Sequence, residues 1–215
     1  FFKEMKEKGY IREIGITSHS ADLMDIALDS GEFATMQFPV NAVEYQGLPL
    51  LEKAKKLDIG TIAMKPIAGG VLFNKGEQSL RYILENENLT VAIPGMYSVD
   101  EIMKNAEVGK NFRPLSDQER KELMEEADSL GNDFCRRCQY CAPCTVGIDI
   151  PGLFTLDLYL TKYNLVEWAK TRYENALVKA SECIECGDCM TRCPYHLEII
   201  DKLAGVSQRF EGVSK

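Results

Sequence analysis

The residues best suited to chemistry are eight cysteines. None occurs before position 135, and all fall in two short runs, Cys135-x2-Cys138-x2-Cys141-x2-Cys144 and Cys183-x2-Cys186-x2-Cys189-x3-Cys193-Pro194. Thiolates repeated every third residue wrap a chain around an inorganic iron–sulfur cuboid, each sulfur reaching a different iron, while a fourth cysteine followed by proline leaves for a neighbouring site. The first run departs from this: its last gap is two residues, and Pro143 precedes Cys144. Structural zinc is the competing reading, but tetrahedral zinc sites favour separated CxxC pairs over four evenly spaced thiolates. Disulfides suit short secreted chains rather than a cytosolic one. Eight cysteines divide into two sets of four with none left over.

The second run resembles the bacterial ferredoxin pattern in full. The resemblance implies that ligands cross between the runs. One [4Fe-4S] cluster then takes Cys135, Cys138, Cys141 and Cys193, and the other takes Cys183, Cys186, Cys189 and Cys144. Backbone N–H groups around Gly187 and Asp188 are placed to bond cluster sulfurs. Arg136, Arg137 and Arg192 either offset the anionic charge or are solvated surface residues. His196 reads as a surface residue at a helix N-terminus, since four thiolates per site leave it no place as a ligand. Trp168, Tyr163 and Tyr173 read as core packing rather than an electron relay.

These side chains need a scaffold, and the first 112 residues supply a regular alternation. Strands are predicted over 12–16, 34–38, 60–65 and 90–94, with helices over 20–28, 48–57, 78–84 and 99–108. A strand every 20 to 30 residues with a helix in each gap predicts consecutive βα units and a parallel sheet buried on both faces. Four units are half of a (β/α)8 barrel or an open sheet. Phe1 is not an initiator methionine, and residues 1–10 read as a helix already in progress that stops at Gly9. The expectation is therefore that a first half lies upstream, the alternative being a second chain over the exposed edges. Beyond Pro114, Ser116 and Glu119 form a capping box that opens a helix over 117–130, stopped by Gly131. Residues 113–133 are thus expected to be a linker helix. Residues 134–204 read as a mostly helical cysteine domain with helices over 152–162 and 165–180, and 205–215 as a frayed tail.

The formal net charge of −8 excludes nucleic acid and anionic membranes as natural partners, and 45% hydrophobic residues suffice for a packed core. No stretch is long and apolar enough to span a bilayer, and no leader pattern opens the sequence. The sequence reads as soluble and cytoplasmic.

IREIGITSHS, MQFPVNAVEY, GTIAMKPIAGG and TVAIPGMYSVDEIMKNAEVG, in that order and joined to the cysteine domain, resemble the second half of the aldo/keto reductase barrel in the iron–sulfur branch of that family. The implied fold class is α/β, the second half of a (β/α)8 TIM barrel followed by a two-cluster ferredoxin-like domain. The resemblance implies that Thr17, Ser18 and Gln37 hold the nicotinamide carboxamide, with Asn41 lining the same mouth. It further implies that Gly95, Ser98 and Asn105 lie along the rest of the cofactor, with a phosphate at the helix start after Ser98. Lys65 replaces the aromatic residue that stacks on nicotinamide in reductases of this family. Gly95 and Glu101 stand where basic residues recognise the 2′-phosphate, which leaves NADH, weak binding or no nicotinamide. The family's catalytic Asp, Tyr, Lys and His come from the first four βα units, so catalytic residues are unassigned here and the chain alone is not expected to reduce carbonyls. His19 reads as a residue of the barrel mouth. The implied function is an iron–sulfur oxidoreductase acting on a small-molecule substrate with a ferredoxin or flavoprotein as redox partner. The alternative is an electron-transfer or docking module on a non-catalytic barrel scaffold.

Overall fold

A computed structural model describes residues 1–131 and 133–213. It divides into two compact units, 1–132 and 133–215. No helix of the described residues is long and apolar enough to cross a membrane.

The first unit runs α1 (Phe2–Glu7), β1 (Gly15–Thr17), α2 (Ala21–Asp29), β2 (Thr35–Pro39), α3 (Leu48–Lys56), β3 (Gly60–Met64), α4 (Gly76–Leu84), β4 (Val91–Ile93), α5 (Val99–Lys110) and α6 (Asp117–Leu130). The strands form one sheet in the order β1-β2-β3-β4, every pair parallel. Local signals set the helix ends. Ser20 caps α2 by accepting from the Leu23 amide, and three lysines crowd the last turn of α3, where the helix dipole favours cations.

The expectation of burial on both faces fails. Met36, Phe38 and Ala63, with Ile16 and Ala92 beside them, pack against Met24 and Leu28 of α2, Leu50, Leu51 and Ala54 of α3, and Ile83 of α4. The opposite face is the row Thr17, Gln37, Ile62, Val91, set by strand register. On that row Thr17 and Val91 are exposed and Gln37 and Ile62 half-buried. Helices cover only one side, so side chains alternate with the strand period of two.

The helix expected as a linker is instead fastened to the first unit. Arg81 of α4 is 2% exposed; its guanidinium donates to both carboxylate oxygens of Glu119 (2.7 and 3.0 Å) and to the carbonyls of Arg113 and Pro114. Hydrogen bonds from Arg81, Arg113 and Ser116 hold the Glu119 carboxyl well below the usual carboxylate range. The Ser116–Glu119 capping box is present as expected.

The second unit contains α7 (Ile150–Thr161), α8 (Val166–Glu174), α9 (Asp188–Thr191) and α10 (Ile199–Glu211). Three sequence readings are corrected here. The helix expected over 165–180 ends at Glu174, because the Lys179 ammonium turns back to the carbonyls of Tyr173 and Glu174 (2.5 and 2.7 Å). The expected tail from 205 is helix up to Glu211. Val206 and Ser207 are buried, Phe210 stacks on Tyr173 at 4.3 Å, and Glu211 accepts from the hydroxyls of Tyr173 and Ser181. Residues 214–215 of that segment lie outside the described residues. Tyr173 is core, but Trp168 and Tyr163 are 40% and 41% exposed, so the packing expected of them is also corrected. Tyr159 meets both rings, and Arg172 lies over Trp168 at 3.6 Å.

Candidate metal centres and sheet mouth

The two cysteine runs lie mostly outside regular elements and turn through the same backbone device. Arg137 and Gln139 in the first run, and Glu185 and Gly187 in the second, take positive φ of 55°, 65°, 58° and 81°. They occupy equivalent places: two residues after the first cysteine and one after the second. Left-handed residues between right-handed ones turn successive N–H groups to one side, a concavity suited to anionic sulfur. The Arg137 amide points at the Cys135 sulfur, 3.4 Å away.

All eight cysteines are free thiols, and they surround two cavities. Cys135, Cys138 and Cys141 wall the first together with Cys193 of the other run. Cys183, Cys186 and Cys189 wall the second together with Cys144. The expected division of the cysteines is thus the one the cavities have. Ile150, at the start of α7, lines both and is 2% exposed. Among the described residues no three His, Cys, Asp or Glu side chains converge as on a single metal ion. Four thiols around a space suit a polynuclear body better than one tetrahedral zinc.

Burial pushes the Cys141 thiol up to about 11, with the neighbouring Cys135 and Cys138 adding to it, and burial raises Cys135 and Cys189 as well. Cys186 is exposed, and its thiol is lowered, first by the Thr145 hydroxyl and then by the Asp188 amide. Of the three arginines, Arg137 is exposed and Arg136 is buried in the wall of the first cavity. Arg192 bridges the runs: its guanidinium donates to the carbonyls of Ala142 and Pro143, both at 2.9 Å. His196 is exposed and walls neither cavity.

In the first unit, the residues read as nicotinamide contacts separate into three groups. Thr17 and Gln37 are register partners, and the Gln37 amide donates to the Thr17 hydroxyl at 3.4 Å. Ser18 and Asn41 are buried and engaged locally. The Ser18 hydroxyl accepts from the Ser20 amide (3.0 Å). Asn41 donates to Glu44 and the Lys65 carbonyl and accepts from the amides of Val43 and Glu44. Asn41 thus knots the loop after β2 instead of presenting its amide at the mouth, as the sequence reading had it. Gly95, Ser98 and Asn105 line a groove of about 1340 Å³ at the ends of β3 and β4, together with Lys65, Gly69 and Gly70. The start of α5 is closed by its own side chains. The Ser98 hydroxyl accepts from the Glu101 amide, and the Glu101 carboxylate accepts from the Tyr97 amide rather than from Ser98 as a capping box requires. Lys104 is paired with Asp100 at 2.7 Å.

A pair that sequence reasoning did not find joins the segment after β1 to the residue after β3. The Lys65 ammonium lies 2.9 Å from His19 Nε2. No spacing signals it, because 46 residues separate the two and Lys65 reaches the mouth from a backbone at φ 54°. Burial, and then the lysine charge, lower the His19 pKa to about 4. The unfolded chain therefore binds the extra proton first. The stability contributed by His19 is full above about pH 6.5, declines as the pH falls below it, and is lost near 4. An NMR titration is expected to place the His19 midpoint near 4. Lys65→Met is expected to raise it only part of the way to the ordinary value, because burial is the larger cause; an unmoved midpoint would remove the lysine from the account.

Residues 1–80 match the aldo/keto reductase family model, and residues 134–198 match the 4Fe-4S dicluster domain model. Among solved structures, an aldo-keto reductase from Bacillus halodurans in its holo form is 17% identical, with 58% of this chain and 53% of that chain covered at a TM-score of 0.49. Its apo form gives 17%, 58% and 54% at 0.49. A thermostable aldo-keto reductase in complex with the inhibitor epalrestat gives 20%, 58% and 52% at 0.45. The chain spans about half the length of these structures. No curated protein matches it.

Proposed function

We propose that this chain is the cluster-bearing part of an iron–sulfur oxidoreductase of the aldo/keto reductase type, its parallel sheet the second half of a (β/α)8 barrel and its cysteine unit a holder of two [4Fe-4S] clusters. The observation that carries the reading is the pair of cavities, each walled by three cysteines of one run and one of the other. The donor set fits: four thiols per cavity, turned by left-handed backbone, with N–H groups directed at sulfur. Clusters held there accept and release electrons one at a time.

The chain's own residues supply the surroundings. Buried apolar side chains keep water from Cys141, Cys189 and Cys193, and Arg192 fixes the two runs to each other. In the first unit, Thr17 and Gln37 offer a hydroxyl and an amide side by side at the sheet mouth, a set that matches the donor and acceptor of a carboxamide. The groove beyond Lys65, about 1340 Å³, has the volume to take the rest of a nicotinamide cofactor. Four acidic side chains (Glu77, Asp100, Glu101 and Glu107) and four basic ones line it, and each basic one is already engaged, Lys65 with His19, Lys104 with Asp100, and Arg81 and Arg113 with Glu119, which favours NADH over the more anionic NADPH. A nicotinamide gives up two electrons together as hydride, so coupling it to one-electron centres requires a flavoprotein between them, after which a ferredoxin can drain the clusters singly.

A second reading, an electron-transfer module on a non-catalytic scaffold, draws support from Ser18 and Asn41 being engaged locally and from the closed start of α5. Anaerobic purification followed by iron and acid-labile sulfide analysis, then titration with NADH and NADPH, separates the readings. The expected result is eight irons and eight sulfides per chain, on the order of two cuboidal clusters, with NADH bound more tightly than NADPH. Clusters without nicotinamide binding would favour the module, and a colourless zinc-loaded protein would end both.

A further inference from the structure

The two cysteine cavities are not electrically equivalent. Arg136 stands in the wall of the first and is 6% exposed. Its guanidinium lies between two rings, 3.9 Å from the centroid of Phe134 and 4.6 Å from that of Tyr195, and Nη1 donates to the Phe134 carbonyl at 2.6 Å. A guanidinium does not lose its proton in proteins. The rings hold water off it, so its unit charge acts on the cavity through a poorly screening medium. The second cavity has the opposite character. Its wall includes the exposed carboxylate of Asp188, which accepts from the Thr145 hydroxyl at 3.2 Å, and its Cys186 faces solvent. The cation at that wall, Arg192, is half-buried and shares the wall with the Asp188 carboxylate, so the two charges offset, whereas no acidic residue lines the first cavity beside Arg136.

We infer that Arg136 makes the Cys135/Cys138/Cys141/Cys193 centre the better electron acceptor of the two, so that the first electron added to the pair resides there. This rests on the cluster reading proposed above. The step is the gain of one electron from an external reductant, with no bond made or broken. The added negative charge is stabilised by the nearby fixed cation and disfavoured by the nearby carboxylate. Water at Cys186 acts the other way, since it also favours the reduced form. Its dipoles are mobile and share the field with bulk solvent, whereas Arg136 is a whole charge fixed in place, so the arginine decides the order.

The test is anaerobic redox titration of the full chain with dithionite, followed by electron paramagnetic resonance. Two midpoints are expected, and Cys138→Ser and Cys186→Ser, each altering or abolishing one signal, assign them to the two centres. The inference requires that the higher midpoint belong to the centre altered by Cys138→Ser; the reverse order overturns it. Arg136→Gln is expected to shift that midpoint downward and leave the other in place, whereas Arg136→Lys, which keeps the charge, stays close to the unaltered chain. Two unmoved midpoints in Arg136→Gln with both signals intact would also overturn it. If Arg136→Gln fails to assemble, the assignment by the two serine variants still decides. Absence of iron and sulfide from the unaltered chain would instead remove the proposed function itself, a different failure.

Discussion

Alanine at Cys141 is expected to leave a chain with about half of its iron and sulfide, a loss on the scale of one cuboidal cluster, and alanine at Cys193 is expected to remove the same half. The two residues lie on different runs but wall the same cavity. Combining them should therefore cost no more than either alone. Cys141 and Cys144 lie three positions apart on one run and wall different cavities, so that double variant is expected to lose all of the iron. If each run held its own cluster, the outcome would invert: the Cys141/Cys144 pair would keep half and the Cys141/Cys193 pair nothing. Iron per chain, sulfide per chain and the number of paramagnetic signals read the difference. Trp168 is the single tryptophan of the chain and lies in the cysteine unit, so its fluorescence reports whether that unit still folds in each variant.

The metal-free state follows from the same geometry. Residues 133–149 form no helix or strand; besides the cavity walls, they are held by Val146 and Ile148 in the core and by hydrogen bonds with Asp188, Arg192 and Lys202. With the centres removed, this segment loses the bodies its loops wrap and keeps only those anchors, most of which lie at its C-terminal end. The buried thiols, raised by desolvation, stay protonated at neutral pH and do not repel one another. The apo unit thus loosens rather than bursts, and limited proteolysis within 133–149 is its expected sign.

Much of this was legible in the sequence because the signals are local. Three-residue cysteine spacing marks a loop wrapped around a body larger than one ion, and Ser20, Ser116 and Gly131 mark helix ends through their own hydrogen bonds or backbone freedom. The βα alternation gave the sheet, with strand bounds displaced most at β1, where Arg12, Glu13 and Ile14 lie outside the strand that begins at Gly15. What was not legible depends on distant partners. Lys179 ends α8 by reaching back across a turn, and Tyr173 and Ser181 hold the end of α10 through Glu211, which turns an apparent tail into core. The roles of Arg136, Arg137 and Arg192 are identical in composition and differ only in burial, which depends on whether Phe134 and Tyr195 close over the side chain.

Phe38→Ala is the other large effect to expect, this time on the sheet that carries the mouth. Phe38 is fully buried among Met24, Leu51 and Ala63, and removing such a ring costs about 3–5 kcal/mol. That is a large share of the roughly 5–15 kcal/mol that holds a domain together. The same ring limits the turn before α3: a Cβ on Gly47 would stand 2.7 Å from Phe38 Cδ1 and 2.7 Å from Val40 Cγ2. Gly47→Ala is therefore expected to destabilise by overpacking, about 1–3 kcal/mol. In the Phe38→Ala background half of that clash is gone while Val40 remains, so the double variant should be more stable than the sum of the singles predicts. Denaturant unfolding followed by far-ultraviolet circular dichroism reads both units, and Trp168 fluorescence reads only the second, so the difference isolates the first. Iron content is expected to stay constant across all three variants, because Phe38 and Gly47 lie outside the unit that walls the cysteine cavities. Strict additivity would mean that the turn moves away from the ring instead of pressing on it.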